Sequence, residues 1–209
     1  MREYNKIDTV FKRDMDGTKN LIEGEFRNKS VEYLKDNRWY FTEKIDGTNI
    51  RVYWDGHSVS FGGRTDKANI PSHLLETLKS MFGTNEAEEM FEQTFGEKEA
   101  ILFGEGYGPK IQSGGLYRSD VSFILFDVMV GDVYLDRDAT ESIANSFGID
   151  IVPIVLEGTI QQAVDFVKTF PKSTIGTANM EGVVGKPMIE LYEKNGKRVI
   201  VKIKACDFR

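Results

Sequence analysis

Apolar residues recur along this chain with two different periods, and the changes of period mark its elements. From Arg38 onward the texture is that of strands: 39–43, 49–54 and 58–61 predict a three-stranded meander, with Asp46-Gly47 and Asp55-Gly56 as its turns. The spacing then becomes helical. Ser72 reads as the cap of a helix that carries Leu74, Leu75, Leu78 and Phe82, and a second helix is predicted over 87–95. Strands return at 100–107 and 121–130, with Gly131-Asp132 closing another hairpin. Ala139, Ile143, Ala144 and Phe147 predict a helix over 138–147, and Ile160, Ala163, Val164 and Val167 predict one over 160–167. The end is β again: 182–186, then 189–192 and 198–205 around an Asn195-Gly196 hairpin. The first 35 residues mix charge and aromatics, with turn signals at Asp16-Gly17 and Glu23-Gly24. No repeat or low-complexity tract interrupts the order. Strand runs separated by pairs of helices predict an α+β fold, a single domain of mainly antiparallel sheets flanked by helices.

Composition narrows the function classes. A chain of 209 residues supports one sizeable core, or one domain with a small lobe. Hydrophobic content of 40% with 29% charged residues is that of a globular protein. No apolar run approaches the roughly 18 residues that cross a bilayer, so no membrane association is expected. The amino terminus has no apolar segment of the kind a signal peptide needs. The single Cys206 excludes an internal disulfide, fits a reducing cytosol, and reads as a small residue filling space near the end of the chain. A net charge of −6 argues against a generic nucleic-acid coat but leaves room for a locally basic site. Glu76, Glu86, Glu88, Glu89, Glu92, Glu97 and Glu99 concentrate the acidity on what reads as a solvated helical face, turned away from any polyanion. His57 and His73 have no motif context.

Five short words carry the candidate chemistry. Lys44 follows a strand and precedes Asp46-Gly47, which suits a covalent lysine nucleophile as well as an exposed hairpin lysine. A free lysine amine is protonated at neutral pH, with a pKa of about 10.4, so such a nucleophile needs partial burial or cationic neighbours. Phe61-Gly62-Gly63-Arg64 lets backbone approach a ligand while Arg64 offers a fixed fork for phosphate, or it is a polar loop with a surface arginine. Glu105 stands between Gly104 and Gly106 in a strand, where glycine is a weak structural choice, and a carboxylate there is placed to accept from ribose hydroxyls. In Phe123-Ile124-Leu125-Phe126-Asp127 most side chains read as core, and one phenylalanine is a candidate platform for a base, a contact worth about 1–3 kcal/mol. Lys202 and Lys204 project to one face of an apolar strand. That is either a solvated edge or two ammoniums facing an anion, with Glu181 placed to hold a divalent ion.

Taken in order, Lys44-Ile45-Asp46-Gly47, Arg64, Phe103-Gly104-Glu105, Phe123 through Asp127, Glu181-Gly182-Val183-Val184 and Lys202-Ile203-Lys204 resemble the motif series of covalent nucleotidyltransferases, the superfamily of DNA ligases, RNA ligases and capping enzymes. The stretches 43–51 and 104–115 are most similar to the RNA ligase 2-like family, and the resemblance covers roughly residues 38 to 205. It implies a nucleotidyltransferase (ATP-grasp-like ligase) fold filling 1–209, with no appended OB-fold or helical C-terminal domain. It implies an ATP-dependent RNA ligase, using Mg²⁺ or Mn²⁺, that seals 5′-phosphate and 3′-hydroxyl ends through lysyl-AMP and adenylylated RNA. The resemblance makes Lys44 the nucleophile on the α-phosphate, and Lys202 and Lys204 its phosphate-neutralising partners. It puts Glu43 on the adenine amino group, Arg64 on the nucleotide, Glu105 on ribose and Phe123 stacked on adenine. Glu181 falls at the metal, and Asn49 acts through metal-bound water. RNA ends or a nicked duplex are the implied partners, in the cytoplasm (of a host, if the chain is phage-encoded). The negative charge and single domain imply weak or steeply salt-dependent RNA affinity, or a partner protein that supplies it. A small DNA ligase working on nicks and a non-sealing nucleotide-binding regulatory module are the alternatives.

Overall fold

The computed structural model describes residues 2–17 and 20–208. Two units emerge from the chain, one nested in the sequence of the other: Met1–Asn5 with Asp46–Val152, and Lys6–Ile45 with Pro153–Arg209. In chain order the outer unit begins with β1 (Asp8–Thr9), β2 (Phe11–Arg13), β3 (Leu21–Phe26), α1 (Lys29–Tyr33) and β4 (Trp39–Glu43). The inserted unit holds β5 (Thr48–Trp54), β6 (Val59–Gly62), α2 (Ser72–Phe82), α3 (Asn85–Phe95), β7 (Ala100–Tyr107), β8 (Ser122–Val130), β9 (Val133–Tyr134), α4 (Arg137–Phe147) and β10 (Asp150–Ile151). The chain then returns to the outer unit for β11 (Ile154–Gly158), α5 (Ile160–Lys168), β12 (Gly182–Pro187) and β13 (Val201–Lys204).

The outer unit is built on a five-stranded sheet in the order β1-β13-β12-β4-β11, with β2 and β3 paired beside it in sequence. All five residues of β4 are buried. A strand covered on both faces needs a continuous apolar run rather than alternation, and Trp39-Tyr40-Phe41 supplies one. α5 lays Ile160, Ala163, Val164 and Val167 into the core with Trp39, Phe41, Val183 and Ile203. A reciprocal capping box between Thr159 and Gln162 starts that helix.

The inserted unit carries a six-stranded sheet in the order β10-β8-β7-β5-β6, with β9 paired to β8. Ile50, Val52 and Trp54 of β5 pack with Leu74, Leu78 and Phe82 of α2 and Phe91 of α3. The opposite face buries Ile101, Phe103, Met129 and Tyr134. The fold is therefore α+β and mainly antiparallel, as the sequence predicts, with parallel pairing among the described residues only at β1–β13 and β10–β8.

Several expectations are corrected. Of the 39–61 meander only the second half forms, β5 and β6 pairing around Asp55-Gly56. Both edges of β4 are taken by β11 and β12, so the other edge of β5 goes to β7, and Asp46-Gly47 is a bend rather than a hairpin turn. Ser72 is the first helical residue of α2, whose cap is Pro71 with no side-chain bond. Glu23-Gly24 lies inside β3. The Asn195-Gly196 turn is present, closed by Glu193 N–H donating to the Lys197 carbonyl at 2.8 Å, but only a Tyr192–Arg198 bridge flanks it, and the predicted strand over 189–192 does not form. The final strand is confined to Val201–Lys204, and Cys206 is exposed on the 3-10 turn that follows, where Ala205 fills the core instead.

Gly182 opens β12 at φ +154°, where an added Cβ would meet the Ile203 carbonyl oxygen at 2.1 Å and Lys204 Cα at 2.8 Å. Both atoms are backbone and cannot swing aside. Gly182→Ala is therefore expected to lower unfolding free energy by at least about 1–3 kcal/mol, read as an earlier midpoint in urea denaturation; a midpoint within error of wild type contradicts this packing.

Candidate functional site

The sequence-predicted residues fall into two groups, one on each unit. In the outer unit Lys44 leaves the end of β4, and its backbone N–H donates to the Gly182 carbonyl at 2.9 Å. That bond continues the β4–β12 ladder, in which Val183 faces Glu43. Glu181 precedes β12, and its carbonyl accepts from Ala205 N–H at 2.9 Å, just past β13. Three strand ends thus meet, and their side chains converge. Lys44 Nζ lies 2.7 Å from Glu181 Oε2, and Lys204 Nζ lies 3.0 Å from Glu181 Oε1. In β13, Val201 and Ile203 point into the core while Lys202 and Lys204 share the other, partly open face.

One carboxylate therefore bridges two ammoniums. Burial alone would lower the Lys204 pKa, but the hydrogen bond and charge of Glu181 outweigh it, and the ammonium is held above the ordinary lysine value. Glu43, the last residue of β4, is only 1% exposed. Its Oε2 accepts from Thr174 N–H at 2.9 Å and from Thr174 Oγ1 at 2.7 Å. Its Oε1 is buried with no hydrogen-bond partner among the described residues. A buried carboxylate oxygen left unpaired is costly, and it has room to accept from one further donor.

In the inserted unit Glu105 of β7 stands opposite Asn49 of β5 and Ile124 of β8. Directly opposed residues share a sheet face, so these three form one row across three strands. Asn49 Oδ1 is buried without a hydrogen-bond partner among the described residues. Phe123 is on the other face. Its ring is 0% exposed, packs edge-to-face on Phe82 at 5.4 Å, and presses so closely on β7 that a Cβ at Gly104 would fall 2.2 Å from it. The expected stacking of Phe123 on a base is corrected: alternation along β8 makes this ring core and puts Ile124 on the Glu105 face. The glycine before Glu105 is thus explained by the approach of Phe123.

Arg64 is exposed on the loop after β6. That loop is tied down by Arg51, whose fully buried guanidinium donates to the Gly63 carbonyl at 2.7 Å and to Asp66 Oδ1 at 2.9 Å. Asp46 accepts from Ser113 N–H at 3.3 Å, linking the bend after Lys44 to the glycine-rich loop. Asp127, the acid ending the fourth motif, is buried and accepts from the Tyr4 hydroxyl at 2.5 Å, a packing role.

Sequence reasoning missed Thr174 and Arg51. Thr174 lies in 171–181, which has no periodicity to read. Arg51 did leave a signal, a charge within an apolar strand that burial tolerates only when paired.

Among the described residues no group of three or more His, Cys, Asp or Glu side chains is arranged to hold a metal, and no helix is long and apolar enough to cross a membrane. A magnesium ion uses one or two carboxylates and fills the rest of its octahedron with water and substrate phosphate. Glu181, beside the lysine pair, fits that demand.

The model of the family described as RNA ligase matches residues 37–204. Among solved structures, a Naegleria gruberi RNA ligase variant with ATP and Mn is similar over 98% of this chain and 56% of its own, at 18% identity and a TM-score of 0.68. A second variant, with AMP and Mn, matches over 95% of this chain and 60% of its own at 19% identity, with a TM-score of 0.63. The same enzyme with PPi matches over 96% and 61% at 19% identity, with a TM-score of 0.62. This chain spans less than two thirds of the length of each, and at such identities the likeness is one of fold.

Because the Lys204 pKa is raised in the folded state, the stability Glu181 lends through it is fully present below the unfolded lysine value of about 10.4 and is lost as pH rises through the folded one. Wild type is expected to exceed Glu181→Gln in denaturation midpoint at pH 8, with the gap narrowing above about pH 10.5. A gap that stays constant to pH 11.5 contradicts the assignment.

Proposed function

The chain belongs to the RNA ligase family, and from that premise we propose that it is an ATP-dependent RNA ligase acting through a lysyl-AMP intermediate. The observation that carries the reading is the Lys44–Glu181–Lys204 cluster. A lysine held at a strand end beside a second ammonium is placed for attack on a phosphate. Nζ of Lys44 bonds to the α-phosphorus of ATP, the bond to the bridging oxygen breaks, and pyrophosphate leaves. The amine must first lose a proton, and Glu181 Oε2 at 2.7 Å is the nearest acceptor. Lys202 and Lys204 neutralise charge building on the α-phosphate oxygens. A divalent ion beside Glu181 supplies further neutralisation of the triphosphate when bound. Naegleria structures with ATP or AMP and Mn support the choice of nucleotide and metal class.

Glu43 receives the adenine amino group on Oε1, while Thr174 holds the other oxygen. Glu105 takes ribose hydroxyls, Asn49 offers its unpaired oxygen to metal-bound water, and Arg64 contacts the nucleotide and then the RNA end. AMP passes from Lys44 to the 5′-phosphate of RNA, and a neighbouring 3′-hydroxyl displaces it to seal the strand. We assign residues 1–209 to the nucleotidyltransferase domain and the reaction to the cytoplasm. With a net charge of −6, RNA capture draws on a partner protein or on low salt.

Incubation with labelled ATP and magnesium, then a denaturing gel, is expected to label wild type and leave Lys44→Ala blank. Label that persists in Lys44→Ala overturns the nucleophile, and absence of label from wild type with either Mg²⁺ or Mn²⁺ favours the nucleotide-sensing module. All-RNA, all-DNA and mixed nicks distinguish RNA from DNA sealing. Wild type is expected to prefer ATP to GTP, and Glu43→Ala to cut that preference by about tenfold or more, equivalent to about 1.4 kcal/mol. An unchanged ratio removes Glu43 from base recognition.

A further inference from the structure

A cleft of about 260 Å³ opens in the outer unit between β1 and β13. Lys6, Arg13, Arg27, Lys202 and Lys204 line it, against the carboxylates of Asp8 and Asp207. Five cations facing two anions, in a chain whose net charge is −6, is a local reversal of sign. Three of the five come from the first 27 residues, which the sequence motifs do not touch. The parallel β1–β13 pairing brings them there, setting Thr9 opposite Lys202.

The two carboxylates orient the arginines more than they neutralise the cleft. Arg13 is paired with Asp207 at 2.7 Å, and Arg27 with Asp8 at 3.2 Å. Asp8 also takes Lys197 at 2.5 Å. Burial would push the Asp8 carboxyl up, yet Lys197, Arg27 and Lys202 together hold it below the ordinary value. Lysines and arginines gather against mutual repulsion where an anion sits among them, and a guanidinium fixed by an ion pair still presents donors to a phosphate oxygen. The volume is below the roughly 300–1,000 Å³ of pockets for drug-sized ligands, so it suits one or two phosphate groups rather than a whole nucleotide.

We propose that this cleft is a phosphate-anion subsite beside the lysine pair, in which Lys6, Arg13 and Arg27 bind either the pyrophosphate portion of the triphosphate or a phosphate of the RNA strand. The anion binding follows from the charges of the cleft; only the choice of these two sources rests on the ligase reading. Both demand the same donors, and the shared wall at Lys202 and Lys204 adjoins the α-phosphate position.

Isothermal titration distinguishes the sources. Wild type, Lys6→Gln/Arg27→Gln and the charge reversal Lys6→Glu are titrated in about 0.1 M salt with inorganic pyrophosphate and with 5′-phosphorylated and 5′-hydroxyl oligoribonucleotides. Lys6 is exposed, so its reversal reads the cleft even where loss of the Arg27–Asp8 pair lowers the melting temperature. Weakening of pyrophosphate binding by tenfold or more in the variants supports the triphosphate source. The same loss confined to the 5′-phosphorylated strand supports the RNA source. Binding equal in wild type and both variants, or no binding of any ligand by wild type, overturns the subsite. Lys44 labelling is scored separately on wild type, so a chain that binds pyrophosphate without labelling retains the cleft and loses the ligase reading.

Discussion

A single backbone hydrogen bond, from Lys44 N–H to the Gly182 carbonyl, sets the geometry on which the chemistry rests. It extends the β4–β12 ladder by one residue beyond the last buried position of β4. The side chain of Lys44 therefore emerges where the sheet stops being packed on both faces. Because β12 is flanked by β13 on its other side, the same register delivers Lys204 to Glu181 from the opposite direction. The ammoniums meet one carboxylate because three strands end together, and Gly182 permits this by letting β12 pass within contact of the Ile203 carbonyl.

The inserted unit solves a different problem with the same device. Its sheet presents Asn49, Glu105 and Ile124 as a row on one face, while the other face is filled by Phe123 and the helices that cover it. Two glycines flank Glu105. One makes room for the Phe123 ring and the other for Leu74 and Ile50. The strand thus gives up side-chain packing on either side of Glu105 to let the core come very close. Arg51 adds a buried charge whose bonds go to the loop that carries Arg64, so the position of an exposed residue is governed from inside.

Helices and long strands were legible because their periodicity is strong and their lengths ample. Helix α4 differs from its predicted span by one residue, and α5 by one. Partnering was not legible. Asp46-Gly47 has the composition of a hairpin turn, and nothing local reveals that both edges of β4 are claimed by strands more than a hundred residues later. Strand β11, short and half exposed, carries too weak a pattern to be read. Site chemistry followed the same division. Lys44, Glu181 and Lys204 converge in the structure, and strand parity already set Lys202 and Lys204 on one face. Phe123 was misplaced because an aromatic beside a functional strand reads alike whether it faces ligand or core. Thr174 and the cationic residues before position 28 were missed because their contribution arises only from long-range pairing.

The nesting of one unit inside the sequence of the other has a consequence for biogenesis. Residues 46–152 are continuous and contain every strand of their own sheet. Strand β4 is made earlier, yet its partners β11 and β12 are made after that stretch. Lys44 and Glu181, 137 residues apart, are thus joined by a long-range contact, and loops of that length must close before such contacts form. A nascent chain that stops just after Val152 holds every strand of the inner sheet and an unpaired, aromatic outer strand. Such a strand is a template for mispairing, so the same distant closure that brings Glu181 to Lys44 also leaves the growing polypeptide dependent on prompt completion of synthesis.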